Sequence, residues 1–274
     1  MICLQLANTY DPQKKYNTSS WFATPKLDGI RAVYIPQQGF FSRKGNPLSG
    51  FGALAEELEI LCAQRGLSFV DGEFIIPRRT FQAIQSVVLS ERHADKRKVE
   101  YHVFAAGGDF RDTTAMLKAL PEIPWLKIYR VPSERVRNAR RAVTEACAKF
   151  SRAGYEGVML RHPLTAYSFG RGNNLLKLKF FREADLRIVD AWEGEGRYED
   201  MIGSVRVEGM VGDRPVRACV GSGFSIEDRY VLFEDEHLIG KTLTVKFQSV
   251  TDKADADGFF SIRFPSSGGV KEDR

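Results

Sequence analysis

Lys26 stands in Ala23-Thr24-Pro25-Lys26-Leu27-Asp28-Gly29-Ile30-Arg31, a stretch whose residue types suit covalent chemistry at an amine. A lysine held beside a second cation loses its proton more readily, and the neutral amine attacks an electrophilic phosphorus or carbonyl carbon. Arg31 is the second cation within reach: Pro25 sets an extended approach, Asp28-Gly29 makes a turn, and Ile30 to Ile35 reads as a strand. A surface hairpin with two solvated charges would read the same way, so the rest of the chain must decide.

Other stretches carry groups that could serve the same chemistry. Asp71-Gly72-Glu73 interrupts the apolar run Leu67 to Ile76, where a carboxylate is unfavourable unless it meets a cation or a metal. Glu156 precedes Gly157 at the mouth of a second apolar strand. Leu175 to Phe181 alternates strictly, so Lys177 and Lys179 share one strand face, as an anion lying along that face would require. Ser42-Arg43-Lys44-Gly45 is a basic loop that suits phosphate and equally an ordinary turn, and Arg171 lies between Gly170 and Gly172 in another loop.

These groups need a scaffold, and 274 residues suffice for two domains. Charge divides unevenly: residues 184 to 274 hold 12 Lys or Arg against 18 Asp or Glu, and residues 1 to 183 hold 28 against 17. The basic part points to a polyanionic partner. Cys3, Cys62, Cys147 and Cys219 form no Cys-x-x-Cys pair, and His93, His102, His162 and His237 have no zinc-type spacing, so reduced thiols of a cytoplasmic protein are expected. The N-terminus lacks the pattern of a secretion signal, no apolar run reaches membrane-spanning length, and there is no internal repeat.

Residues 1 to 20 read as irregular, followed by strands from Trp21 and around Phe40. Helices are expected over Phe51 to Arg65, over residues 80 to 98 with a solvated basic end, over Thr113 to Leu120, and as an amphipathic element from Ser133 to Phe150. Short strands are expected at Glu100 to Ala105 and Lys127 to Val131. Downstream, Leu186 to Trp192, Gly203 to Met210, Val216 to Val220, Thr242 to Phe247 and Phe259 to Phe264 read as five strands, with a helix from Ser225 between the third and fourth and Asp228 in capping-box position. That is the layout of an OB barrel.

Taken in order, these segments resemble the nucleotidyltransferase motifs of ATP-dependent DNA ligases, most closely the minimal viral type. Lys26 to Arg31 is similar to the nucleophile motif, Ser42 to Gly45 to the basic loop, and Asp71 to Glu73 to the acidic strand motif. Tyr101 to Phe104 resembles the segment whose aromatic stacks on adenine. Glu156 to Met159 and Leu176 to Lys179 resemble the last two motifs of the catalytic domain, while Arg263-Phe264-Pro265 and Lys271 to Arg274 resemble the barrel motif that orients pyrophosphate. The resemblance implies an α+β fold: a nucleotidyltransferase domain of ATP-grasp-like antiparallel sheets with helices at 1-183, then an OB-fold barrel at 184-274.

It further implies a cytoplasmic or, if viral, host-interior monomer that seals nicked duplex DNA with ATP through AMP on Lys26, using Mg2+ or in its place Mn2+. Lys26, Asp28, Lys177 and Lys179 would be catalytic. Thr24 and Pro25 would border the nucleotide, Phe104 would stack on its base, and Glu73 and Glu156 would lie near the metal. Arg31, Arg43 and Arg171 would bind nucleotide and the 5′-phosphate at the nick.

Some positions depart from the pattern. Ala105 replaces an acidic residue, Lys271 stands where Arg is usual, and the connection Glu193 to Ile202 is too short for the long DNA-encircling hairpin of the viral enzymes. A GTP-using mRNA capping enzyme, an RNA ligase and a non-catalytic nick-binding or single-strand-binding module are the rival readings.

Overall fold

A computed structural model describes residues 3–271 and divides into two compact units, Met1–Phe180 and Phe181–Arg274. In unit one the order is β1 (Gln5–Thr9), β2 (Ser20–Lys26), β3 (Ile30–Ile35), β4 (Gly39–Ser42), α1 (Gly52–Arg65), β5 (Phe69–Ile75), α2 (Phe81–Leu89) and β6 (Glu100–Gly107). It continues with α3 (Thr113–Ala119), β7 (Ile128–Arg130), β8 (Glu134–Arg137), α4 (Arg140–Arg152), β9 (Gly157–Arg161) and β10 (Gly170–Lys179). The strands form two five-stranded sheets, β1-β10-β9-β2-β8 and β4-β3-β5-β6-β7. All pairs within them are antiparallel except β1 with β10 and β6 with β7.

Each sheet has its own core. Trp21, Ala23, Val158, Leu160 and Leu176 meet Val143, Ala146, Cys147 and Phe150 of α4. Phe40, Val70, Phe74, Tyr101 and Val103 meet Leu58, Cys62, Ile84 and Val88 of α1 and α2. Because side chains alternate across a strand, the opposite faces of β2, β9 and β10, and of β3, β5 and β6, are free to line a site.

Four expectations need correction. Residues 5–9 are a strand: β1 pairs with β10, more than 160 residues away, and Gln5 is 1% exposed. The helix expected from Ser133 starts at Arg140, because Val136 packs into the core between exposed Arg135 and Arg137 and pairs with Trp21 of β2. A period of two wins there over a helical reading. The helix over 80 to 98 stops at Leu89 and resumes as a 3-10 turn at Ala94–Lys98, where Lys96 is half-buried, donates to the Ser49 and Val88 carbonyls and lies 4.4 Å from the Phe51 ring centre. The acidic triplet does not break its strand, for β5 runs continuously through Asp71-Gly72-Glu73 with an irregular register beside β6.

Unit two comprises β11 (Arg182–Glu193), β12 (Ile202–Val211), β13 (Arg214–Val220), α5 (Ile226–Phe233), β14 (Thr242–Phe247), β15 (Val250–Ala254), β16 (Phe260–Ile262) and β17 (Ser266–Lys271). The sheet order is β15-β16-β13-β12-β11-β14-β17. The helix falls between the third and fourth strands, as expected, and its Ser225–Asp228 capping box is formed. Among the described residues the strand set is seven, however: β15 and β17, at the two ends of the sheet, are too polar or glycine-rich for periodicity to reveal. Arg229 of α5 is buried and donates to the carbonyls of Ile202, Gly203 and Gly221, which fastens the helix to the strands beneath. Of the motif expected at the C-terminus, Lys271 pairs with Asp185 at 2.5 Å, whereas Glu272 to Arg274 lie outside the described residues.

Candidate active site

Between the two sheets of unit one lies a cavity of about 630 Å³. Its lining includes Thr24, Pro25 and Lys26 from β2, Arg31 from β3, Arg43 from the loop after β4, Glu73 from β5 and Phe104 from β6. Arg171, Lys177 and Lys179 enter from β10. Ten of the residues singled out from the sequence therefore share one surface. Asp28 does not line it and sits exposed in the turn after β2.

Lys26 is the last residue of β2, and its Nζ donates to Glu156 Oε2. Lys179 Nζ meets the other oxygen of that carboxylate at 2.7 Å. Close backbone approach makes this possible. A Cβ on Gly157 would stand 2.2 Å from the Leu178 carbonyl oxygen, so only glycine lets β9 and β10 pair at this rung and bring Glu156 between the two amines. Gly29 has a similar duty, since its Cβ would fall 2.3 Å from the Phe74 carbonyl oxygen. Its N–H donates to Glu73 Oε1 at 3.1 Å, which aims that carboxyl at the nucleophile corner.

Burial pushes the Glu73 carboxyl up to about 7, opposed by Lys26, the Gly29 N–H and Arg31 and reinforced by Glu156. The native state thus holds a proton that the unfolded chain has lost between its ordinary value of 4.5 and about 7. Stability must fall as pH rises through that window and level off above it. Glu73→Gln keeps an acceptor for Gly29 but carries no charge, so it should gain stability relative to the parent between about pH 5 and about pH 8. Urea unfolding midpoints at both pH values, in chelator, test this; a pH-independent difference would refute it.

Burial lowers the pKa of Lys177, with further lowering from Lys179, Arg171, Lys26 and Arg43. These cations form one positive field over the cavity. Arg31, expected as a second cation near Lys26, lines the same cavity and is tied to a carboxylate. Its Nε and Nη2 donate to Asp71 Oδ1 and Oδ2 at 3.0 and 2.5 Å, and Nη1 donates to the Gln5 carbonyl at 2.9 Å. Although burial opposes its charge, Asp71 raises its pKa on balance. Tyr167 donates to Asp71 Oδ2 at 2.8 Å and accepts from the Gln5 N–H at 3.0 Å, closing a ring of four residues. Phe104 stands with its ring centre 5.8 Å from the Arg31 guanidinium carbon. Arg171 donates to the Ala7 carbonyl at 2.5 Å and remains exposed.

Asp71, Tyr167, Gln5 and Arg161 had not been singled out as site residues. Asp71 offered a signal, a carboxylate inside an apolar strand; Gln5 offered none, because β1 itself was not legible. An aromatic wall, a row of cations and an amine bridged to a carboxylate make a site suited to an anionic, flat-ringed ligand and to attack by nitrogen.

A family model described as "ATP dependent DNA ligase domain" matches residues 1–179, and one described as "DNA ligase OB-like domain" matches residues 193–270. A DNA ligase of Haemophilus influenzae is 26% identical over 253 residues, 91% of this chain and 87% of that protein. A DNA ligase of African swine fever virus is 24% identical over 83% of this chain and 59% of its own length. Among solved structures, one titled as a structure-function study of Lig E DNA ligases aligns with a TM-score of 0.73 and 27% identity, covering 99% of this chain and 100% of that one. Chlorella virus DNA ligase-adenylate aligns at 0.52 with 25% identity, covering 99% of each.

Proposed function

Given that the chain belongs to the ATP-dependent DNA ligases, we propose that it seals 3′-hydroxyl/5′-phosphate nicks in duplex DNA through AMP carried on Lys26. The observation that carries this is the bridge Lys26–Glu156–Lys179 at the edge of a cavity walled by Phe104 and flanked by Lys177.

In the first step the Lys26 amine attacks the α-phosphorus of ATP, and the bond to pyrophosphate breaks as the phosphoramidate forms. Lys177 and Lys179 neutralise the charge that develops on the phosphate, Phe104 stacks on the base, and Thr24 and Pro25 border it. Glu156, acceptor for the Lys26 N–H, is placed to take the proton the amine must lose. In the second step AMP passes to the nick 5′-phosphate, which Arg43 and Arg171 bind from the exposed rim. Arg31, tied to Asp71, shapes that end of the cavity and turns its remaining surface to the ligands. In the third, the 3′-hydroxyl displaces AMP. Asp28 acts through the turn that presents Lys26.

Glu73 and Glu156 suit Mg2+, with Mn2+ in its place: both carboxyls lie within electrostatic reach of the same amine and of each other, and Mg2+ typically takes one or two carboxylates plus substrate phosphates. Bound there, the ion would supply further neutralisation of phosphate charge. The partner is nicked duplex DNA and the acting form a monomer. Among the described residues no helix is long and apolar enough to cross a membrane.

ATP-dependent sealing of a singly nicked duplex tests the reading, with GTP and RNA-containing strands in parallel to probe the capping-enzyme and RNA-ligase rivals. Nick affinity should drop steeply with salt. Four phosphate contacts, from Arg43, Lys44, Arg171 and Lys177, give a log–log slope near about −3.6, on the order of 10²-fold between 50 and 200 mM. A flat response would exclude phosphate contacts as the main grip.

A further inference from the structure

The outward side of α5 carries the wrong residues for a solvated helix. Buried Arg229 and Leu232 fix which side meets the barrel. On the other side Ile226 and Tyr230 stand one turn apart and Val231 one turn from Glu227, and all three apolar side chains are more than half exposed. A surface helix with its inner stripe already packed ordinarily turns charge to water, so three large apolar groups together there differ from the scattered single ones any surface shows. Ile239, in the loop that follows, is exposed as well.

The charge around this face is of one sign. Glu227 and Glu234 share the outward side of the helix, and Glu236 is exposed just beyond it. Arg229 is the only lysine or arginine from residue 221 to 240, and it is spent on backbone carbonyls. Lys241, the next in sequence, is engaged by Asp235 at 2.5 Å. The connection from β11 to β12 reaches the same helix, since the Tyr198 ring centre lies 4.4 Å from the Arg229 guanidinium carbon. That connection exposes Glu193, Glu195, Glu199 and Asp200 against the single cation Arg197.

This sign selects the occupant. Nucleic-acid phosphate and an anionic lipid surface are both repelled by such an excess of carboxylates. Two copies meeting through the same face would set Glu227 and Glu234 against themselves, because a two-fold interface is self-complementary. A protein segment that offers apolar side chains flanked by lysine or arginine answers both features. Apolar burial supplies its affinity, and opposite charge supplies its orientation and rate of arrival.

We propose that the outward face of α5 is a docking surface for a basic, amphipathic segment of a partner protein, gripped by Ile226, Tyr230 and Val231 with Glu227 and Glu234 at their margin. None of these residues belongs to the cavity or to the steps assigned to it. The surface therefore serves recruitment of the enzyme, not its chemistry.

The probe is a pair of fluorescein-labelled helical peptides with the same number of lysines, one with leucines along a single face and the other with alanines in their place. Anisotropy titrations at 50 and 300 mM salt compare the parent, Tyr230→Ser with Val231→Ser, and Glu227→Gln with Glu234→Gln. The parent should bind the leucine peptide about 10-fold or more tightly than the alanine peptide, the scale expected for burying a few large apolar groups. The serine pair should bring that preference close to one. The glutamine pair should weaken both peptides and flatten the salt response, and it serves as the independent check should the serine pair not fold.

A parent without preference for leucine overturns the proposal, and so does a preference that survives the serine pair or a salt response unmoved by the glutamine pair. Sedimentation velocity over a range of concentrations covers the remaining occupant. Self-association of the parent that the serine pair abolishes would assign the face to a second copy and overturn the choice of a basic partner.

Discussion

Lys26→Ala will abolish transfer of label from α-labelled ATP to the protein. Nothing else on the cavity floor can replace it: Lys177 sits one side-chain repeat away on β10, and Lys179 is occupied by the same carboxylate that meets Lys26. The substitution removes a partly exposed amine and leaves Glu156 paired with Lys179, so the fold should survive. Sealing of a nick that already carries AMP does not call on the amine as nucleophile. Activity on that substrate would separate lost chemistry from lost structure. Covalent label persisting on Lys26→Ala would place the nucleophile elsewhere.

Asp71→Ala should have the largest effect on stability of any change at the site. Asp71 is fully buried and accepts from Arg31 twice and from Tyr167 once; removing it leaves a guanidinium that is only 15% exposed without its counter-charge. Breaking a buried pair from one side costs about 3–5 kcal/mol, a large share of the roughly 5–15 kcal/mol that holds a typical protein folded. The double variant Arg31→Met with Asp71→Ala should recover part of that loss, because no orphaned charge remains. Denaturant midpoints of the three variants decide the matter. A single variant as stable as the parent would mean the pair contributes nothing to the fold.

Both expectations start from residues visible in the sequence, but to different degrees. Lys26 was legible because its chemistry is local: a proline, a turn and a strand start lie within six residues of it. Lys177 and Lys179 were legible for a similar reason, since alternation along a strand is a local period. Arg31 was seen, but its partner was not. Its attachment to Asp71 crosses between β3 and β5, and no spacing rule reports which of several nearby charges a guanidinium will choose.

The helix expected from Ser133 shows the same limit in the backbone. Residues 134–137 suit a strand only because β2 offers an edge and Trp21 a surface for Val136; from the chain alone they continue the helical pattern of 140–152. The two outer strands of unit two, β15 and β17, fall in this class too, since strand pairing compensates for residues of weak propensity.

What the linear chain determined by itself was the set of reacting groups and the order of the elements that carry them, because these depend on residue type and on periods of two and 3.6 that are written locally. What only tertiary structure decided was partnership: Glu156 between two lysines, Asp71 on Arg31, and Gln5 on Arg161. Those pairings join residues between 23 and 156 positions apart, and they follow from sheet register, which is settled by the burial of whole strand faces rather than by any one residue's neighbours in sequence.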